Sequence, residues 1–265
     1  PPSTDPGSHG DSTKVRQGSE LKALGPYVLV QELGRGGMGV VYKARHRQKG
    51  DIVALKVLLS GEFASPKMLA RFQQEAKTAA TMAELQRIDA ASYRGTVDAL
   101  RLKYQESARA RPGDVMPRVF VAWCSLPSDE AWNQLKAIAS IYPDNPWVRY
   151  GMGRIYTNWK GMSDLARVEF EAVLKRDPQF FPALAGQGDL ARIKEDYAVA
   201  EQKYRAALAL AEDPFARSGL GLTLAATQKS DEARVELKKA IATMPEQPLA
   251  LSKLAPLCSR CRKPA

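Results

Sequence analysis

Hydrophobic positions follow two different periods along this chain, and the change falls near residue 60. From Tyr27 onward three runs, "YVLVQEL", "VVYKARH" and "DIVALKVL", are rich in β-branched and aromatic residues and are separated by glycine-containing turns. That pattern predicts three consecutive antiparallel strands. After them "SPKMLARFQQEAKTAATMAELQRIDAAS" runs without glycine or proline past Pro66, with Ser65 placed to cap it and Pro66 suited to the first turn. One long helix is expected, continuing through Thr78–Glu84 without a break.

Beyond residue 95 only helical periodicity is found, and it repeats. A small residue is followed four positions later by a large apolar one, and three positions after that by another small or apolar one. The sets are Ala166, Phe170, Val173, then Ala200, Tyr204, Ala207, then Ala233, Leu237, Ala240. Ala131, Leu135, Ile138 fit the same frame, and Leu100, Tyr104, Ser107 form a weaker copy. Gly153, Gly188 and Gly221 stand in the helices preceding the three best copies. Two antiparallel helices approach closely only where small side chains face each other, while the large residue of each set fills the groove against the next pair. Over residues 96–246 the pattern resembles the tetratricopeptide repeat. The resemblance implies a stack of helix pairs, closed after Pro248 by a capping helix in "LALSKLAPLCS".

The fold class expected is therefore α+β: a mainly α-helical TPR-like solenoid preceded by a small three-stranded antiparallel sheet and one helix. The organisation expected is a flexible leader at 1–22, a sheet-and-helix segment at 23–82, helical repeats at 83–258 and a basic tail at 259–265. The leader, "PPSTDPGSHGDSTKVRQGSELK", has almost no apolar side chains with which to build a core.

Gly34, Arg35, Gly36, Gly37, Met38 and Gly39 form a G-x-G-x-x-G string. In a dinucleotide-binding fold such glycines open a helix, whereas here "VVYKARH" follows, so they lie in a hairpin that can cover phosphate groups. Together with "VALKVL", residues 26–80 resemble the N-terminal lobe of bacterial serine/threonine protein kinases. By that resemblance Lys56 holds the α- and β-phosphates and pairs with Glu75, while Val41 and Ala54 line the adenine. The kinase strings H-R-D-x-x-x-x-N and D-F-G do not occur, and the two histidines, His9 and His46, lie before or within the first strands. ATP binding is accordingly expected to be weak or undetectable, and no phosphate transfer is expected from this chain alone. The alternative is a fragment of an active TPR-containing serine/threonine kinase.

Charge and cysteine content narrow the partners. The net charge is +10, but the basic residues are scattered, and only "SRCRKPA" clusters them without aromatic neighbours, so no nucleic-acid partner is expected. No run is long and apolar enough to cross a bilayer, so no membrane partner is expected either. Three cysteines are too few for a disulfide framework, which suggests a cytoplasmic setting, and Cys258 and Cys261 form a C-x-x-C without a second ligand pair, so no metal is expected. Partner binding is expected on the inner helices around 115–125, 147–158, 182–193 and 215–227. Arg149, Asn158, Gln187, Arg192 and Arg217 are polar within these apolar helices, and three are basic, which favours a protein or peptide partner with acidic character.

Overall fold

The structure, a computed structural model, describes residues 23–36, 39–58, 65–159, 161–245 and 247–259. The leader 1–22, Gly37, Met38, Cys261 and all of the basic tail but Ser259 lie outside the described residues. The chain divides into two compact units between Ala76 and Lys77.

In the first unit, β1 (Ala23–Leu24), β2 (Tyr27–Gly36), β3 (Gly39–His46) and β4 (Ile52–Leu58) form one antiparallel sheet in chain order. This is one strand more than the hydrophobic pattern predicts, because β1 has only two residues and shows no period. It pairs with β2 because Gly25, at φ +55°, reverses the chain and sets Ala23 opposite Val28 and Leu24 opposite Tyr27. β2 also runs further than its apolar stretch. Its glycines stay in the ladder, with Gly34 opposite Val41 and Gly36 opposite Gly39. At its turn end the hairpin packs tightly on β4: a methyl group on Gly39 would lie 2.4 Å from the Val57 carbonyl oxygen.

From Pro66 on, the described residues contain helices and no strand. Helix α1 (Pro66–Tyr93) is unbroken, and the Ser65 hydroxyl accepts the Met68 N–H at 3.2 Å. It is followed by α2 (Val97–Ala110), α3 (Met116–Cys124), α4 (Asp129–Ile141), α5 (Pro146–Asn158) and α6 (Ser163–Arg176). Next come α7 (Phe181–Ile193), α8 (Tyr197–Leu210), α9 (Pro214–Ala226), α10 (Ser230–Thr243) and α11 (Pro248–Ser259). Several starts are legible locally: Asn145 caps α5 and Asp213 caps α9 through backbone N–H groups, each with proline in the first turn.

The repeating sets are the core of the second unit. They account for every buried residue of the outer helices α4, α6, α8 and α10: Ala131, Leu135, Ile138; Ala166, Phe170, Val173; Ala200, Tyr204, Ala207; and Ala233, Leu237, Ala240. In the weaker first copy Tyr104 is buried while Leu100 is half-buried. What lets the later pairs close is a G-x-G in each inner helix, "GMG", "GQG" and "GLG". A methyl on Gly153 or on Gly186 would meet the Phe170 ring at 2.4 and 2.5 Å, so this ring is gripped by glycines of two successive inner helices. Tyr204 is held in the same way by Gly188 and Gly219, at 2.8 and 2.3 Å. The first glycine of each pair faces the preceding hairpin and the second faces its own. Earlier in the array bulk stands where that second glycine would be: Val119 in α3 and Ile88 in α1, each twelve residues before its outer-helix partner Ala131 or Leu100. α3 and α4 accordingly pack less closely than the later pairs, and α1 does not close on α2.

Candidate functional site

The sheet places Val41, Ala54 and Lys56 on one side. Lys56 lies opposite Val41 across the β3–β4 ladder, and Ala54 stands two residues before it, so all three side chains share a face. Lys56 Nζ reaches Glu75 Oε2 on α1 at 2.5 Å and lies 5.8 Å from the Phe72 ring centre. Arg71 also approaches Glu75, at 3.8 Å. Lys56 and Glu75 each keep about a third of their side chain exposed, 38% and 32%, so the pair contributes about 0–1 kcal/mol to stability. Gly34 and Gly36 lie in the β2–β3 ladder, opposite Val41 and Gly39, and Arg35 pairs with Glu32 at 2.8 Å. Among the described residues no cluster of three His, Cys, Asp or Glu side chains stands ready for a metal ion.

The second unit offers a different surface, along its inner helices. Arg154 of α5 lies at its centre. Its guanidinium sits 5.1 Å from the Trp123 ring of α3 and 5.7 Å from the Phe215 ring of α9, and its Nη1 is 3.5 Å from Asp89 of α1. Trp123 stacks on Tyr150 at 5.7 Å, and Tyr150 in turn meets Trp147, Phe170 and Phe180. Asp189 of α7 accepts the Tyr204 hydroxyl at 2.7 Å. Asp213 accepts Gln86 Nε2 at 3.0 Å through one oxygen and the Ala216 N–H at 3.0 Å through the other. Burial pushes the carboxyls of Asp89, Asp189 and Asp213 above their ordinary range, with Arg154 opposing the shift in all three. Burial alone would lower Arg154, but Asp89, Tyr150 and Asp189 more than offset it, so the guanidinium is held firmly charged. Cys124 is free and buried, and burial pushes its thiol up to about 12.

The five polar residues of the inner helices fall into different places. Arg149 and Arg217 are not free cations. Arg149 Nη1 bonds Glu169 at 3.0 Å, and Arg217 bonds Glu236 at 2.5 Å and also Glu212, so each ties its inner helix to the outer helix of its own hairpin. Arg192 lies 3.8 Å from Asp189 and leaves its buried Nε without a hydrogen-bond partner. The buried Oε1 of Gln187 is likewise unpartnered, and Asn158 is exposed at the end of α5. Arg154, the residue on which four helices converge, is absent from the set that sequence reasoning selects. One signal could have found it: it directly follows the second glycine of its G-x-G, as Asp189 does in the next repeat.

A kinase-like N-terminal segment joined to a tetratricopeptide-repeat array is what these two regions define. No protein-family profile matches the chain. Over 62 residues it is 48% identical to serine/threonine-protein kinase PknD of Mycobacterium tuberculosis, covering 23% of this chain and 9% of that protein. Over 73 residues it is 41% identical to serine/threonine-protein kinase PknE of Mycobacterium bovis, covering 28% and 12%. The chain thus spans about a tenth of the length of these curated kinases. Among solved structures it is similar to TTC0263, a thermophilic TPR protein of Thermus thermophilus, with a TM-score of 0.54 and 18% identity over 68% of this chain and 99% of that one. At that identity the likeness is one of fold. No described helix is long and apolar enough to cross a membrane.

Proposed function

We propose that this chain is a protein-interaction scaffold of TPR type, whose inner helices α3, α5, α7 and α9 take a protein or peptide partner. The observation that carries this reading is the gathering of Trp123, Arg154, Asp189 and Phe215 from four different helices on one surface. The outer helices bury the large residue of each set but expose Leu165, Val168, Val199 and Val235 singly beside ion pairs such as Arg205 with Glu201 and Glu232. Aromatic and charged groups on a rigid concave scaffold suit recognition of a chain bearing carboxylates, which Arg154 and Arg192 would meet. A test compares charge reversals on the two faces. Arg154→Glu should lower partner capture at least tenfold and Arg205→Glu should leave it unchanged; the opposite ranking would refute the reading.

The kinase-like segment is proposed to hold ATP weakly. Lys56, positioned by Glu75, and the hairpin backbone from Gly34 to Gly39 would contact the phosphates, with Val41 and Ala54 beside the base. Bound ATP would supply a transferable phosphoryl group, but the H-R-D-x-x-x-x-N and D-F-G strings that would position the acceptor and hold magnesium do not occur in this sequence, so transfer by this chain alone is not expected. A second reading, a fragment of an active TPR-containing serine/threonine kinase, is favoured by the identity to PknD and the close Lys56–Glu75 pair. Incubation with radiolabelled ATP and a general protein substrate separates the two. Transfer above that of a Lys56→Met control would establish the second reading.

A further inference from the structure

Residues 77–93 of α1 behave unlike the other inner helices. This stretch meets α2 through Glu84, which accepts the Tyr104 hydroxyl and pairs with Lys103 at 3.2 Å, and it is also tied to distant parts of the array. Asp89 meets Arg154, 65 residues on in α5, and Gln86 donates to Asp213, 127 residues on at the start of α9. Arg154 itself spans from Trp123 in α3 to Phe215 in α9. Between these polar ties Met82, Leu85 and Ile88 are buried to 4, 1 and 0% exposure in the same apolar cluster as Trp123, Trp147, Tyr150 and Leu220. Ala79, Ala80, Ala83 and Arg87, on the opposite side of the helix, are exposed. Thus one amphipathic face of α1 lies across the inner surface formed by α3, α5 and α9.

We infer that this inner surface is a helix-binding groove in which residues 77–93 sit as a resident ligand, and that the external partner is a second amphipathic helix. Such a helix carries apolar residues at the spacing of Met82, Leu85 and Ile88, a carboxylate that replaces Asp89 on Arg154, and a donor that replaces Gln86 on Asp213. The inference rests on the scaffold reading and narrows it to a class of partner. Seated helix and incoming helix compete for the same contacts, so the apparent affinity for a partner falls in proportion to the fraction of time the groove is open. The covalent link gives the resident helix an effective concentration of about millimolar for a short flexible connection, which a partner must exceed.

The test uses the full chain and a fluorescent peptide of residues 77–93 as the probe, followed by anisotropy. A Leu85→Asp/Asp89→Arg chain, whose resident helix is unseated, should bind the peptide at least tenfold more tightly than the unaltered chain. Adding Arg154→Asp to it should abolish that binding, and a peptide carrying Asp89→Arg should restore it. Equal binding by both chains, no binding by either, or no restoration by the charge-swapped peptide refutes the inference. Hydrogen exchange of the milder Asp89→Ala chain covers the case in which the double variant does not fold. Faster exchange confined to residues 77–93 is expected, and unchanged protection there refutes the inference. No cellular partner enters this assay, so a scaffold that takes an extended peptide would fail here yet still lose partner capture on Arg154→Glu. Conversely, peptide binding combined with capture that depends on the outer helices would keep the groove and remove the scaffold reading.

Discussion

The hairpins α5/α6, α7/α8 and α9/α10 close tightly, whereas α1/α2 and α3/α4, built in the same frame, do not. The difference comes down to one position. Gly153, Gly188 and Gly221 let an aromatic or leucine side chain of the outer helix lie against bare backbone, and Val119 and Ile88 at the equivalent place hold the helices apart. The lesson is that bulk at the contact position does more than weaken a pair. In α3 it loosens a hairpin; in α1 it goes with an inner helix that packs only loosely on α2 and whose apolar face joins the common core of the array. There Asp89 is tied to Arg154 of α5, Gln86 to Asp213 at the start of α9, and Glu84 to Tyr104 of α2.

The largest effect should come from emptying the grip of a glycine pair. Phe170→Ala removes a ring with no exposed surface that two hairpins share, and should cost about 3–5 kcal/mol in chemical denaturation. The mirror-image change, Gly219→Ala, adds a methyl 2.3 Å from the Tyr204 ring, which is pinned by Asp189, and should cost about 1–3 kcal/mol. By contrast Gly113→Ala has nothing within 4 Å and should fall within about 0.5 kcal/mol of the unaltered chain. If Gly219 and Gly113 proved equally tolerant, the comparison between tight and loose pairs would lose its basis.

A smaller effect, and one that depends on pH, belongs to the ion pairs inside the hairpins. Burial alone would raise the Glu236 carboxyl, but Lys239 and Arg217 hold it below its ordinary value. A carboxylate depressed in the folded state stabilises fully above its unfolded value, and the contribution is lost as pH falls through the lowered folded value. The stability gap between the unaltered chain and Glu236→Gln should therefore be widest near neutral pH and vanish in acid; a gap constant with pH would contradict the assigned cause. Small too is the effect expected of Lys56→Met, less than about 1 kcal/mol, since the Lys56–Glu75 pair is partly exposed.

Much of this architecture is legible in the sequence, because the features that build it are local and periodic. The outer-helix sets from Ala131 to Ala240 are the buried residues, α1 runs unbroken from Pro66, and the capping helix α11 follows Pro248. Gly151, Gly186 and Gly219 were harder to read. Their partners Leu135, Phe170 and Tyr204 belong to the preceding repeat, so comparison within one repeat gives them no role. The ion-pair partners of Arg149 and Arg217 were hard to read for a related reason: Glu169 and Glu236 stand 20 and 19 residues on, in the next helix. The same spacing of 19 joins Lys56 to Glu75, where the family resemblance supplied the partner. Arg154 and the seat of α1 depend on contacts 65 and 127 residues apart, which no local period encodes.

Site-specific photo-cross-linking tests the central claim, that the inner face is where this chain meets its partner, most directly. Probes replacing Phe215 and Arg192 on the inner helices, and Gln202 and Arg205 on α8, report the two faces side by side. The account predicts that one partner cross-links from positions 215 and 192 and not from 202 and 205, and that the yield rises when residues 77–93 are unseated by Leu85→Asp/Asp89→Arg. Cross-links from 202 and 205 alone would contradict it.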